Sequence, residues 1–455
     1  MFRILLVYLL LFTSTLLSAQ SNDSITIRRF YDEALTNGKA YGWLDILCNK
    51  IGPRLSGSAQ AANAVQFVKQ ELEKIPADRV FLQDVMVPHW VRGEKEQAYV
   101  ISKGKKEALT ICALGGSIST PDKGMQSKII EVHDFDELEK LGKENISGKI
   151  VFMNHPMNPK FINTFEAYGE AAKYRYSTAG KAAPLGAIGV VVRSMTLSMN
   201  DFPHTGAMGY PDSVTKIPSC AISTLGAEKL SSLLKEDPQA EFYFYQTCQT
   251  LTDAPSHNVL GEIKGSEFPD EVILIGGHLD SWDLGTGASD DGTGVVQAME
   301  VINLMKALQL KPKRTIRCIA FMNEENGGKG GAKYAELAKI NKERNIAAIE
   351  SDAGGFTPRG FSFKGDSIQA LKVMNWKSKF LLYNLNEWKM GYGGADINHL
   401  QDQGTLLIGF IPDSQRYFEI HHAATDTYEK VSLRELELGA ASIAALVWLI
   451  SEYGI

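Results

Sequence analysis

The chain has 455 residues, long for one domain and enough for two or three. Hydrophobic content of 44% and charged content of 22% are those of an ordinary globular protein and argue against a disordered chain. A formal net charge of -6, with no long basic run, offers nucleic acid nothing to bind, so no nucleic-acid partner is expected.

Residues 1–20 read as a secretory signal peptide. Arg3 supplies a positive charge, Ile4–Leu17 is mostly apolar, and Ser18 and Ala19 are the small residues of a cleavage site. The apolar run is shorter than the ~20 residues of a membrane span. The expectation is a secreted or otherwise extracytoplasmic protein with no integral membrane contact after cleavage. The five cysteines are scattered and lack C-x-x-C spacing, so the core must hold the fold.

Ile25–Ile51 has helical spacing of apolar residues, and the turn residues Gly52–Gly57 end it. Ser58–Ile75 resumes as a helix. Val85–Val87, Ala98–Ile101 and Leu109–Cys112 read as strands. From about Lys128 the character changes. Short strands at Ile129–Val132 and Lys149–Phe152 flank a charged helical stretch, Glu137–Lys143. A Gly/Ala-rich segment follows, ending in Leu185–Val192, and Pro218–Ser223 is a further strand signal. Residues 121–250 therefore read as a β-rich domain inserted into a larger one formed by 21–120 and 251–455.

After His257–Leu260 strands and helices alternate: strand Val272–Ile275, helix Val295–Leu308, strand Thr315–Met322, helix Ala332–Ile340, strand Ile346–Glu350, helix Ile368–Leu382 and strand Thr405–Phe410. Such alternation predicts an α/β fold, a mostly parallel sheet with helices on both faces. Ser432 with Glu435 three residues on forms the capping-box pattern before a last helix through Ile450.

The chemistry-bearing residues share one address, the carboxyl ends of these strands, where parallel sheets bind ligands. His278 and Asp280 follow Val272–Ile275. At two-residue spacing in extended chain they point the same way, so His278 is a candidate metal ligand and Asp280 its orienter. Asp290 and Asp291 lie in the Gly-rich turn before the next helix. Glu324 and Glu325 follow the next strand, Asp352 the one after, and His421 and His422 come late in the chain. Any one of these clusters alone is an ordinary solvated turn, helix cap or surface pair. Together they offer histidines and carboxylates, a donor mixture that suits zinc.

The ordered set Gly276–Ser281, Gly287–Gly294, Asn323–Glu325, Glu350–Gly355 and His421–Thr427 resembles the di-zinc aminopeptidase and glutamate carboxypeptidase superfamily over about residues 256–455. Gly52–Ser58, Arg193–Thr196, Pro203–Gly206 and Lys311–Thr315 narrow the resemblance to its secreted carboxypeptidase Q type. The resemblance implies two Zn²⁺ per chain. His278 and Asp352 would hold one ion, Glu325 and His422 the other, and Asp290 would bridge them. Glu324 would be the general base. Asp291 would be no ligand but would be joined to Asp290 by a cis bond, and His421 receives no role. The inserted block would be a protease-associated domain, and the protein a homodimer. The expected activity is hydrolysis of short peptides, dipeptides with free termini, and the loop carrying His204 is expected to meet a substrate terminus. An aminopeptidase acting on longer peptides, a single-zinc acyltransferase of the glutaminyl cyclase type and a non-catalytic receptor-like module are the competing readings.

Overall fold

The computed structural model describes residues 22–455, and the expected signal segment lies outside the described residues. Two eight-stranded sheets organise the chain. In spatial order the first contains Arg79–Val91, Gln249–Ile263, Arg314–Phe321, Phe268–His278, Arg344–Glu350, Leu406–Pro412, Pro358–Lys364 and Glu387–Met390. The centre, from Arg314–Phe321 to Leu406–Pro412, is parallel. The strands that border this centre pair with it antiparallel.

The unbroken apolar run Val272–Ile275 is explained by burial on both faces. Ile273 and Ile275 pack with Val295, Met299 and Leu446, whereas Leu274 packs oppositely with Ile319, Phe321 and Tyr334. Helices Thr293–Ala307 and Leu433–Tyr453 supply the first of these layers, and Lys329–Ile340 contributes to the second. Each such side chain stabilises the fold by about 1.5–3 kcal/mol on full burial. The sheet is thus a rigid platform whose strand ends fix the positions of the loops beyond them.

Several elements differ from the sequence expectation for local reasons. The helix expected over Ile25–Ile51 breaks at Gly38 and Lys39 and restarts as Ala40–Asp45. The helix expected to reach Leu382 stops at Met374 and gives way to tight turns. Strands Pro358–Lys364 and Glu387–Met390 are additions to the elements that the sequence pattern predicts. Ser432 accepts the Glu435 N–H at 3.4 Å, but the Glu435 carboxylate turns to Arg416, at 2.7 Å, and to Thr357. Only half of the capping box forms.

The second sheet runs Lys105–Leu109, Gln97–Ser102, Glu241–Tyr245, Met125–Val132, Ile150–Met153, Gly189–Arg193, Ser219–Ile222 and Ile111–Ala113. Strands from residues 97–113, expected with the flanking domain, therefore pair here. Helix Thr224–Glu236 covers one face and helices Phe135–Ile146 and Thr164–Ala182 the other. The Gly/Ala-rich segment is the helix Thr164–Ala182. No helix among the described residues is long and apolar enough to cross a membrane.

Two buried carboxyls meet the start of helix Ala40–Asp45. Glu300 accepts the Lys39 N–H at 3.0 Å and Glu437 the Tyr41 N–H at 3.4 Å. Burial raises Glu300 to about 7 and Glu437 to about 8, and Glu300 adds to the shift of Glu437. Both carboxyls therefore keep protons in the folded state at pH values where the unfolded chain has lost them. Their stabilising effect is complete below the unfolded value near 4.5 and is lost as pH rises through 7–8. Glu437→Gln cannot ionise, so its stability relative to the parent should rise by about 1–3 kcal/mol between pH 5 and 8.5. Urea unfolding at the two pH values measures this, and a pH-independent difference would contradict it.

Candidate metal centre

The turns beyond four neighbouring strands of the first sheet converge on one carboxylate, that of Asp290. Its Oδ1 lies 3.1 Å from His278 Nε2, and its Oδ2 lies 3.1 Å from His422 Nε2. Asp352 joins the first histidine, Oδ1 to His278 Nε2 at 3.5 Å. Glu325 joins the second, Oε2 to His422 Nε2 at 3.1 Å. His421 Nε2 is 3.5 Å from Asp290 Oδ2, and its ring stacks on His422 with centroids 3.5 Å apart. The structure thus gathers His278, Asp290, Glu325, Asp352 and His422 into two donor sets that share Asp290. His421 lies beside the second set.

The donor atoms are oriented from behind. His278 Nδ1 donates to the Asp280 carbonyl at 2.9 Å, and His422 Nδ1 donates to the Thr205 carbonyl at 3.2 Å. Both contacts fix Nδ1 as a donor and turn Nε2 toward the carboxylates, the nitrogen that a metal would take in exchange for its proton. Asp280 therefore orients His278 through its backbone. Its carboxylate does something else, accepting the N–H groups of Asn323 (2.6 Å), Glu324 (3.1 Å) and Glu325 (3.4 Å). It shapes the turn that presents Glu324 and Glu325. Asn323 has φ 75°, a left-handed conformation that Asn adopts more readily than most residues, and its side chain is tied to Ser56 at 2.8 Å.

The Asp290 turn is held as firmly. Asp426 accepts the N–H groups of Ser289 (2.8 Å) and Asp290 (3.1 Å). Arg54, fully buried, donates to the carbonyls of Leu279 (2.5 Å), Thr286 (2.7 Å) and Gly287 (2.8 Å). Asp291 points away from the centre, accepting the His278 N–H at 3.0 Å and the Gly294 N–H at 2.9 Å. The Asp290–Asp291 bond is cis. Gly277 and Gly294 admit this packing, since a Cβ on either would lie 2.4 Å from Asp291 Oδ2.

The donor set fits zinc. Imidazole nitrogens and carboxylate oxygens are its borderline ligands. Asp290 Oδ2 is buried and has no hydrogen-bond partner, although two imidazole nitrogens face it. Two groups of potential ligand atoms, Asp290 with His421 and His422, and Asp290 with His278 and Asp352, each lie within 4.8 Å of one another.

Residues 258–447 match the model of peptidase family M28. Carboxypeptidase Q of Homo sapiens is 36% identical over 417 residues, covering 91% of this chain and 84% of the relative. The crystal structure of a peptidase M28 precursor from Shewanella amazonensis superimposes with a TM-score of 0.91 at 31% identity, covering 95% of this chain and 97% of that one. The chain belongs to peptidase family M28. BSAP, a zinc aminopeptidase from Bacillus subtilis, shares the fold with a TM-score of 0.65 at 20% identity, covering 90% of this chain and 93% of that one. Membership makes this M28 chain a zinc metallopeptidase.

The centre opens onto a cleft of about 1300 Å³ lined by Asp290, Glu324, Glu325, Asp352, His421 and His422, and by residues of both sheets' loops. His204 is not in its lining. It is 2% exposed, neither ring nitrogen has a partner, and burial lowers it to about 3. What the loop Pro203–Gly206 does bring to the centre is the Thr205 backbone against His422.

Burial drives the carboxyls upward, Glu324 well above its ordinary value and Glu325 to about 7. His278 and His422 go the other way from simple burial. Desolvation opposes their charge, but Asp290 and Asp352 around His278, and Glu325 and Asp290 around His422, raise both well above 6.5. A metal ion must displace those protons, so uptake is complete only at high pH and is lost as pH falls, beginning above 6.5. Zn²⁺ affinity of chelator-stripped protein should drop roughly tenfold or more per pH unit from pH 8 to 6. Calorimetry at pH 7 in buffers of different ionisation heat should show proton release, and its absence would contradict the assignment of the two histidines.

Proposed function

We propose that the protein is an extracytoplasmic di-zinc exopeptidase that hydrolyses short peptides, dipeptides with free termini. The observation that carries this reading is the shared carboxylate, with each Asp290 oxygen 3.1 Å from a different imidazole nitrogen. His278 and Asp352 would hold one ion and Glu325 and His422 the second, with Asp290 available to both. When bound, the pair supplies the positive charge that acidifies a water and polarises the scissile carbonyl. Glu324, on the cleft wall beside these ligands, is the residue that would accept a proton from the attacking water and return it to the leaving amine. Desolvation raises its carboxyl well above the ordinary range, the direction that favours a group which both accepts and returns a proton. Asp280 and Asp426 position the reacting turns without touching substrate.

The same reading takes 121–250 as an inserted protease-associated-like domain between the peptidase segments 21–120 and 251–455. Its separate sheet supports this, with the boundary drawn back to near residue 97 because Gln97–Ser102 pairs within that sheet. Secretion and a homodimer complete the reading on the strength of the carboxypeptidase Q resemblance. An aminopeptidase acting on longer peptides is the second reading, favoured by a cleft of about 1300 Å³, beyond the ~300–1,000 Å³ of common ligand pockets. Relative rates on a peptide length series separate the two.

Glu324→Gln should keep both ions and lose turnover by about 10²–10⁴-fold. Metal analysis showing a lost ion would make Glu324 a ligand instead. Asp290→Ala should lower occupancy at both sites, whereas His278→Ala should empty chiefly one. Equal losses in the two variants would remove the bridge from the scheme.

A further inference from the structure

We propose that Arg175 binds the α-carboxylate of the substrate and so selects peptides whose chain ends inside the cleft. The inference rests on the exopeptidase reading and names the group that enforces it. Four lysines and arginines line the cleft: Lys160, Arg175, Arg359 and Lys389. Arg359 is paired with Asp413 at 2.7 Å, and Lys389 lies 3.8 Å from Glu387. Lys160 is exposed. Arg175 is different. It is only 9% exposed, and no carboxylate of the described residues lies within ion-pair distance of it.

Its present partners are weak acceptors for a guanidinium. Nη2 donates to the Tyr168 hydroxyl at 2.8 Å, Nε reaches the Ala207 carbonyl at 3.4 Å, and Nη1 lies 3.9 Å from Met195 Sδ. A buried charge left without a counter-ion is costly, and the planar fork of arginine matches a carboxylate with two parallel hydrogen bonds. An anion entering the cleft supplies what the protein withholds.

Arg175 is also well placed. Its guanidinium lies over the Tyr168 ring, 5.4 Å from the centroid. The edge of Tyr168 meets His421 with centroids 5.0 Å apart, and His421 stacks on His422. Two aromatic side chains therefore separate the positive charge from the metal ligands. A short peptide, at about 3.3–3.6 Å per residue, spans a gap of that kind. The loop opposite is cut to fit. Gly206 has φ 138°, and a Cβ there would lie 2.5 Å from Arg175 Cζ.

The test compares a dipeptide with its C-terminal amide on the zinc-loaded protein. The parent should prefer the free acid in kcat/KM by about ten- to a hundred-fold, the scale of a charge-assisted hydrogen bond. Arg175→Met should collapse the acid-to-amide ratio toward one, and Arg175→Lys should restore part of it. Gly206→Ala, which displaces the guanidinium but keeps its charge, should lower the ratio if Arg175→Met does not fold. A merely structural role would lower both rates and leave the ratio untouched. A parent with no acid preference, or an Arg175→Met variant that keeps the parental ratio, overturns the proposal. The same comparison is made by calorimetry with an analogue whose scissile amide is reduced to CH₂–NH. Acid-selective binding by a parent that hydrolyses nothing would sustain the role of Arg175 and overturn the exopeptidase reading instead. Equal binding of acid and amide overturns the role of Arg175 whatever the activity.

Discussion

The centre is governed by an imbalance of charge. Asp290, Glu324, Glu325 and Asp352 share one end of the sheet, and among the described residues none of them forms an ion pair with a lysine or arginine. Arg54, the buried cation behind them, spends its donors on backbone carbonyls. Carboxylates so close cannot all ionise out of water, and burial accordingly drives Glu324 and Glu325 upward. The protein is built to be completed by cations from outside. The surrounding carboxylates of Asp426 and Asp280, bonded to the N–H groups of the Asp290 and Glu324 turns, hold these like charges together.

The positions of the donors were legible in the sequence because each lies beyond a buried strand or in a Gly-rich turn. An apolar run such as Val272–Ile275 marks a strand, and the polar residues beyond its end can face nothing but the ligand side. Their supports were not legible. Asp280 reads as a partner for the His278 ring, yet its carboxylate holds three N–H groups of the Glu324 turn while its carbonyl meets the ring. A backbone carbonyl leaves no mark in a sequence, and so the sequence points to the His204 ring and is silent on the Thr205 carbonyl beside it. Arg54 was visible as part of a turn motif, but nothing local discloses that it reaches residues 279–287.

The same limit applies to the fold. Helix Ser58–Ile75 was legible to within a residue or so because its apolar stripe is periodic and Ser58 caps it. Thr164–Ala182 has alanines and glycine on most faces, so its period is faint although its burial is extensive. Glu387–Met390 is a short edge strand with only Trp388 buried, too little pattern to announce itself. The boundary of the second sheet was misplaced because Gln97–Ser102 and Glu241–Tyr245 find each other across more than a hundred residues, and pairing at that range has no local signal.

The contact between Thr205 and His422 runs both ways: the Thr205 carbonyl faces the ring, and its N–H donates to the His422 carbonyl at 2.9 Å. One partner follows the second sheet's strand Gly189–Arg193, and the other follows the first sheet's last strands. Thermodynamic linkage then joins two properties that look separate. An ion held by Nε2 would acidify the opposite N–H and strengthen its bond to the Thr205 carbonyl, and that bond, by fixing the ring's tautomer, would favour the ion in turn. The metal centre and the contact between the loops of the two sheets therefore share one residue, and a change at either reaches the other through that ring.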